Sequence, residues 1–221
     1  NLSYFQATEN AYFTVRSLRE LIRFLADRTD AREIHLMTYS AGARVLSYAL
    51  HGLRLQSDAL DEATVREKFR IGQVIYTGPD LDSDVFRNQY QDGTADLADQ
   101  ITIYTTGKDR ALRTARFVFG GDRLGATQAK NLRAATIDHL RKEEQTNFVI
   151  VSNTERIDKD NSHGYYRESP WVSSDILLQL ACSLSPADRG LVRGDDEAFW
   201  RFPENYAEEI GALAKERCPT F

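Results

Sequence analysis

Cysteine is scarce in this chain, and its scarcity limits the chemistry that the protein can perform. Two of the 221 residues are cysteines, and the spacing of Cys182 and Cys218 matches neither a Cys-x-x-Cys metal site nor a redox pair. We therefore expect no metal and no cofactor. The two thiols form a disulfide if the protein is exported to an oxidising compartment, or stay separate and buried if it is not. The sequence leaves both alternatives open.

Long apolar runs and an excess of basic charge are also missing. No window approaches the roughly 18 consecutive apolar residues of a membrane-spanning helix, and the N-terminus lacks the basic and then apolar profile of a signal peptide. We therefore expect a soluble protein without a transmembrane segment, and both the cytoplasm and the periplasm stay open as locations. The net charge is −5, with basic residues scattered among acidic ones, so we expect no nucleic-acid partner.

The hydrophobic pattern alternates between short apolar runs and helical periodicity. With 42% hydrophobic residues and no linker-like stretch, residues 1–221 are predicted to form one domain. The predicted strands are 34–37, 71–76, 101–105 and 147–151, and the predicted helices are 7–28, 41–52, 83–90, 109–118, 127–143, 170–183 and 203–216. This alternation is typical of an α/β fold, with a mostly parallel sheet and helices on both faces. The long connection 119–146 is either a lid or cap, or a plain packing segment.

The first predicted strand leads directly into a serine. Ser40 stands between an apolar run and a helical pattern, as the nucleophile does in the strand-to-helix turn called a nucleophile elbow. That motif usually reads Gly-x-Ser-x-Gly, and this chain keeps Gly42 but has Thr38 in place of the first glycine. In such a turn the backbone N–H of Ala41 is free to stabilise an oxyanion. A chance coincidence of strand, serine and glycine is the alternative interpretation.

Polar residues that could complete a catalytic site follow the other strands. In a parallel sheet the carboxyl ends of the strands meet at one edge, where active sites usually lie. Asp80 and Asp82 follow the second predicted strand, Asp109 follows the third, and His163 follows the fourth. Serine, then aspartate, then histidine is the chain order of an α/β-hydrolase triad.

Four histidines compete for the role of general base. His35 is inside a predicted strand, His51 is at a helix end, and His139 is in an amphipathic helical pattern. His163 follows the polar, turn-prone loop 158–162, from which an imidazole can reach the edge of the sheet. We therefore favour His163 as the base, and a solvated surface histidine is the alternative.

The choice of the acid is more open. Asp109 follows the strand that precedes the histidine strand, where a hydrolase carries its acid. It could instead cap the helix that begins beside it. Asp80 and Asp82 flank a turn at Pro79 and either line the site or serve as turn and cap residues. Tyr39, next to Ser40, is a further candidate for lining the site.

Several motifs together resemble a bacterial branch of the α/β-hydrolase superfamily, the domain-of-unknown-function nine hundred family. The matching stretches are Glu9-Asn10-Ala11, Ile34-His35-Leu36, Ser40-x-Gly42, the run 79–86, the run 104–112 and the run 162–170 ahead of Asp175. The resemblance implies an α/β-hydrolase fold in which Ser40, Asp109 and His163 form the triad. It also implies strands ahead of Tyr4, with a His-Gly loop that supplies a second oxyanion donor. We therefore expect an N-terminally incomplete domain whose missing strands come from a longer precursor or a second polypeptide.

These observations predict a serine hydrolase of esterase or lipase type that acts on a small-molecule ester or acyl substrate. Ser40 attacks the carbonyl, His163 carries the proton, and Asp109 orients His163. The alternative is a catalytically silent hydrolase-fold protein. It would bind a ligand or partner through the same crevice, or through the aromatic stretch 199–202.

Overall fold

The computed structural model describes residues 2–107, 109–128, 130, 132–151, 163–194 and 198–219. The helices in this part of the chain are α1 (Leu2–Arg28), α2 (Gly42–Leu55), α3 (Glu62–Phe69), α4 (Ser83–Gln91), α5 (Arg110–Phe119), α6 (Ala134–Lys142), α7 (Tyr165–Glu168), α8 (Pro170–Cys182) and α9 (Tyr206–Arg217). The strands are β1 (Ile34–Tyr39), β2 (Ile71–Thr77), β3 (Ala98–Thr105), β4 (Thr146–Ile150), β5 (Val192–Arg193) and β6 (Phe199–Arg201).

The strands form one sheet in the order β1-β2-β3-β4-β6-β5. All neighbouring pairs are parallel except β5 and β6, which are antiparallel. Tyr39 pairs with Thr77, Thr77 with Tyr104, and Thr105 with Ile150. The ends of β1 to β4 are therefore level, and the residues that follow these four strands emerge at one edge of the sheet.

Alternate residues of the central strands enter two different cores. Val74, Ile103 and Phe148 belong to a core cluster that also contains residues of α1, α2 and α3. Their neighbours in sequence, including Ile75, belong to a second cluster with residues of α8 and α9. Successive side chains of a strand point to opposite faces of the sheet, so helices cover both faces. The predicted α/β fold with a mostly parallel, doubly covered sheet is confirmed.

The aromatic stretch 199–202 is partly buried. Residues 199–201 form β6, which pairs with β4, and the side chains of Phe199 and Phe202 are 0% and 2% exposed. Trp200 is half-buried and is covered by the guanidinium of Arg193, whose central carbon lies 4.1 Å from the ring centroid. The core therefore takes up Phe199 and Phe202, while Trp200 and Arg201 stay partly exposed, and binding of a ligand or partner through this stretch stays a prediction.

The connection 119–146 is less helical than predicted. Its helix is α6, which begins at Ala134, and a short 3-10 turn at 124–126 precedes it. Leu124 and Leu140 belong to the main core cluster, so both ends of the connection pack against the body of the domain. A role as a lid stays a prediction.

Of the two alternatives for the cysteines, the structure has the disulfide. Cys182 at the end of α8 is bonded to Cys218 just after α9, with their Cα atoms 5.7 Å apart. The bond therefore ties the two helices of the second core together at their C-terminal ends. Within the described part of the chain, no helix combines the length and the hydrophobicity needed to cross a bilayer.

Candidate active site

Ser40 lies in a tight turn between β1 and α2. Its φ of 54° is in the left-handed region, which non-glycine residues rarely adopt and which costs about 1–3 kcal/mol. Two backbone hydrogen bonds hold the turn: the Ser40 N–H donates to the Thr77 carbonyl at 3.1 Å, and the Asp80 N–H donates to the Ser40 carbonyl at 3.1 Å. This is the backbone conformation expected of a nucleophile elbow.

Thr38 is compatible with the elbow because residue 42 is glycine. A Cβ added at Gly42 would lie 2.7 Å from the Thr38 Oγ1, too close for two unbonded atoms. The absence of a side chain at Gly42 therefore leaves room for the threonine that replaces the usual first glycine. The Ala41 N–H, just before α2, has no hydrogen-bond acceptor among the described residues, and its role as an oxyanion donor stays a prediction.

His163 connects Ser40 to Asp109. Its Nε2 lies 2.8 Å from the Ser40 Oγ, and its Nδ1 lies 2.6 Å from the Asp109 Oδ2. The side chain of Asp109 is completely buried, whereas that of His163 is 13% exposed. A buried carboxylate beside Nδ1 favours the tautomer that carries its proton on Nδ1. The other nitrogen, Nε2, can then accept a proton from a serine hydroxyl. Loop 158–162, from which the sequence predicts that His163 is delivered, lies outside the described residues.

Asp109 makes the contacts that both of the roles left open by the sequence require. Its Oδ1 accepts a hydrogen bond from the Leu112 N–H at 3.0 Å and so caps α5, while its Oδ2 faces His163. The cap holds the carboxylate in place from one side, and the second oxygen stays available to orient the imidazole.

Asp80 and Asp82 do not reach His163. The Asp80 carboxylate is buried between two arginines, with Arg44 Nη2 at 2.9 Å and Arg123 Nε at 3.5 Å. Arg44 also donates from Nε to the Asp80 carbonyl at 2.8 Å, so Asp80 links the first turn of α2 to the loop after β2. The Asp82 side chain caps α4 because it accepts hydrogen bonds from the N–H groups of residues 84 and 85. Both side chains therefore support the loop beside Ser40 and contact neither Ser40 nor His163.

Tyr39 packs against the ring of His163. Its ring centroid lies 4.8 Å from that of His163 and 4.8 Å from that of Tyr166. Burial is the main cause that raises the pKa of the Tyr39 hydroxyl, and the nearby Tyr166 and Asp109 add to it. Tyr39 therefore stays neutral and restricts the position of the His163 ring from one side.

Tyr165 fixes the backbone of Gly78, which lies next to the His163 ring, and the sequence alone did not point to either residue. The buried Tyr165 hydroxyl accepts from the Gly78 N–H at 2.6 Å and donates to the Tyr104 carbonyl at 2.9 Å. Burial raises the pKa of this hydroxyl well above its usual value, so it keeps its proton. A Cβ at Gly78, whose φ is 50°, would lie 3.4 Å from the His163 ring. The His-x-Tyr spacing was the one sequence signal that could have identified Tyr165.

The other three histidines have partners elsewhere. His51 Nε2 lies 2.9 Å from Asp92, His35 Nδ1 accepts from the Gln73 N–H at 3.0 Å, and His139 Nε2 lies 3.8 Å from Glu143. None of these partners is a residue of the group around Ser40.

The parallel sheet, the strained serine after β1 and the order of Ser40, Asp109 and His163 after β1, β3 and β4 are typical of the alpha/beta hydrolase class. The chain belongs to the family described as alpha/beta hydrolase of unknown function (DUF900), which matches residues 1–180. The family expected from the motifs is therefore confirmed, and all three residues of the Ser-His-Asp group lie inside the matched region. Neither a curated protein nor a solved structure matches the chain.

Proposed function

We propose that this alpha/beta hydrolase is a serine hydrolase that cleaves small-molecule esters through an acyl-enzyme on Ser40. The observation that supports the proposal most is the pair of hydrogen bonds that connects Ser40, His163 and Asp109, at 2.8 Å and 2.6 Å. These distances are within the range expected for a nucleophile, its base and the group that orients the base.

The reaction takes place in two steps. His163 Nε2 takes the Ser40 proton as Oγ attacks the ester carbonyl, and the Ala41 N–H stabilises the oxyanion that forms. Collapse of this intermediate breaks the bond to the alcohol, which leaves with the proton from His163. Water then attacks the acyl-enzyme with His163 again as the base, and the acid product and free Ser40 are released. The Asp109 carboxylate stabilises the imidazolium in both steps.

Labelling with a fluorophosphonate, followed by intact mass measurement, tests the proposal directly. We expect one adduct on the wild-type chain and none on Ser40→Ala. Ser174→Ala, which removes a hydroxyl in α8, is the matched control and should label like the wild type. Labelling is followed over hours, so that a slowly reacting serine is also detected.

A folded protein that forms no adduct would contradict the proposal. That result would favour a hydrolase-fold protein that uses the crevice around Ser40 to bind a ligand without turning it over.

A further inference from the structure

A second cavity lies away from Ser40 and His163. Its volume is about 370 Å³, and residues of α4, α5, α6, β4 and the segment 122–127 line it. The floor is apolar and consists of Phe86, Leu112, Leu124, Leu140 and Phe148. Four of these five side chains belong to the main core cluster or pack against it, so the cavity opens directly onto the hydrophobic core. An apolar floor of this kind favours a ligand with a hydrocarbon portion.

The remaining lining carries an excess of positive charge. Among the residues that the structure describes, four arginines and two aspartates line the cavity, in a chain whose net charge is −5. One of these arginines, Arg123, is paired with the buried Asp80, which is outside the lining. The side chains of two of these arginines are exposed and paired, Arg87 with Asp84 at 3.1 Å and Arg116 with Asp122 at 3.0 Å. Exposed pairs of this kind hold each other weakly, so an incoming anion can compete for the guanidinium groups.

Arg133 contributes a further positive charge. It stands just before α6, is exposed, and has no acidic partner within 4 Å among the residues that the structure covers. An unpaired guanidinium beside an apolar cavity suits a carboxylate or a similar anionic head group.

The segment 124–126 beside the cavity packs directly against the loop after β2. The Gly125 N–H donates to the Pro79 carbonyl at 3.0 Å. A Cβ at Gly125 would lie 2.7 Å from the Leu112 side chain and 2.8 Å from the carbonyl carbon of Gly78, so no side chain fits at this position. None of the three residues of the Ser-His-Asp group lines the cavity.

From these observations we infer that the cavity binds a medium-chain amphiphile with one anionic head group, of the fatty-acid type. The chain lies on the apolar floor, and the head group lies at the mouth near Arg116 and Arg133. An apolar cavity of about 150 Å³ is enough to hold a benzene molecule. A cavity of about 370 Å³ therefore accommodates a ligand of roughly fifteen non-hydrogen atoms.

Isothermal titration with decanoate, below the concentration at which it aggregates, tests this inference independently of any hydrolase activity. We expect one saturable site per chain. Decanol should bind about three- to tenfold more weakly because it lacks the charge, and decyltrimethylammonium should bind more weakly still.

Paired substitutions on α6 locate the site. Thr136 lines the cavity and is exposed, so Thr136→Trp should fill the cavity and weaken decanoate binding by roughly tenfold or more. Ala135→Trp adds the same side chain at the neighbouring exposed position outside the lining and should bind like the wild type. Arg133→Gln should weaken binding a few-fold, whereas Arg141→Gln, on the same helix but outside the lining, should not.

Three results would overturn the inference. If decanoate shows no saturable binding, the cavity is not a site for such a ligand. If decanoate and decanol bind with equal affinity, the site does not recognise an anionic head group. Unchanged binding in a folded Thr136→Trp variant would place the ligand elsewhere, including in the crevice around Ser40.

Discussion

Asp109 carries two hydrogen bonds that can be separated by a single substitution. One oxygen caps α5 and the other faces the His163 Nδ1. An asparagine caps a helix about as well as an aspartate, but it cannot stabilise the imidazolium and favours the wrong tautomer. The cap and the catalytic role therefore depend on different properties of the same side chain.

We expect Asp109→Asn to lower the rate of Ser40 labelling by about 10⁴-fold while the melting temperature changes little. The control is Asp61→Asn. Asp61 caps α3 by accepting a hydrogen bond from the Thr64 N–H at 2.8 Å, and it has no hydrogen bond to the Ser-His-Asp group. This control should label at the wild-type rate. A rate within about tenfold of wild type for Asp109→Asn would contradict the role of Asp109 in orienting His163.

The hydroxyl of Tyr165 is expected to fix the loop on which His163 is placed. Tyr165→Phe leaves the Gly78 N–H and the Tyr104 carbonyl without this partner in a buried position. We expect a loss of about 1–3 kcal/mol in the free energy of unfolding and a lower kcat with little change in KM, because the geometry of the base is disturbed.

Tyr206→Phe is the matched control for that experiment. Tyr206 is also buried, but its hydroxyl has no hydrogen-bond partner among the described residues. Its removal should leave both stability and kcat unchanged or raise stability slightly. If the two phenylalanine variants behave alike in chemical denaturation and in kinetics, the bridging role of Tyr165 is wrong.

At the scale of the element, the turn between β1 and α2 depends on a pair of residues and not on Gly42 alone. A methyl group at position 42 would overlap with the Thr38 Oγ1. We expect Gly42→Ala to destabilise the protein by about 1–3 kcal/mol and to slow labelling of Ser40. Combined with Thr38→Ala, the same change should become nearly neutral, because the contacting oxygen is gone.

Gly211→Ala provides the comparison for the elbow. Gly211 is inside α9, and an added Cβ there would meet no atom within 4 Å. We expect this substitution to raise stability by about 0.5–1 kcal/mol, since alanine is the better helix former. The double-mutant cycle at positions 38 and 42 is measured by urea unfolding, and simple additivity of the two single changes would contradict the proposed contact.

Several elements could not be recognised from local pattern. Strands β5 and β6 have two and three residues, too few for a period of two to be visible. Helix α3 has eight residues, of which Val65 and Phe69 are buried, so its apolar stripe is too short to stand out. By contrast, the strands β1 to β4 and the long helices carry enough buried positions that their periodicity predicts them closely.

At the scale of the whole molecule, the disulfide is expected to hold α8 and α9 together. It closes a loop between residues separated by 36 positions. The closed loop lowers the conformational entropy of the unfolded chain, which should stabilise the folded state by about 3–4 kcal/mol. We expect the variant with both Cys182→Ser and Cys218→Ser to melt about 6–16 °C lower than wild type.

A reducing agent serves as the control in the same melting experiment. It should lower the melting temperature of the wild type toward that of the double variant and leave the variant unchanged. Equal melting of the oxidised and reduced wild-type protein would show that the bond does not stabilise the fold.

The strands implied ahead of Tyr4 also belong to this scale, and they stay a prediction. β1 is the edge strand of the described sheet, and the side chain of its Met37 is 42% exposed. A further strand would pair at this edge, next to β1, which ends at Tyr39.

The amino-acid sequence by itself determined the order of the main strands and helices, the family and the turn that carries Ser40. These features depend on neighbours within a few positions, through periodicity, caps and the absence of a side chain at Gly42. Only the tertiary structure decided which aspartate faces His163, that the two cysteines are bonded, and that the aromatic stretch 199–202 joins the sheet. The reason is sequence distance: Asp109 and Ser40 lie 54 and 123 positions from His163, and the parallel sheet is what brings their side chains together.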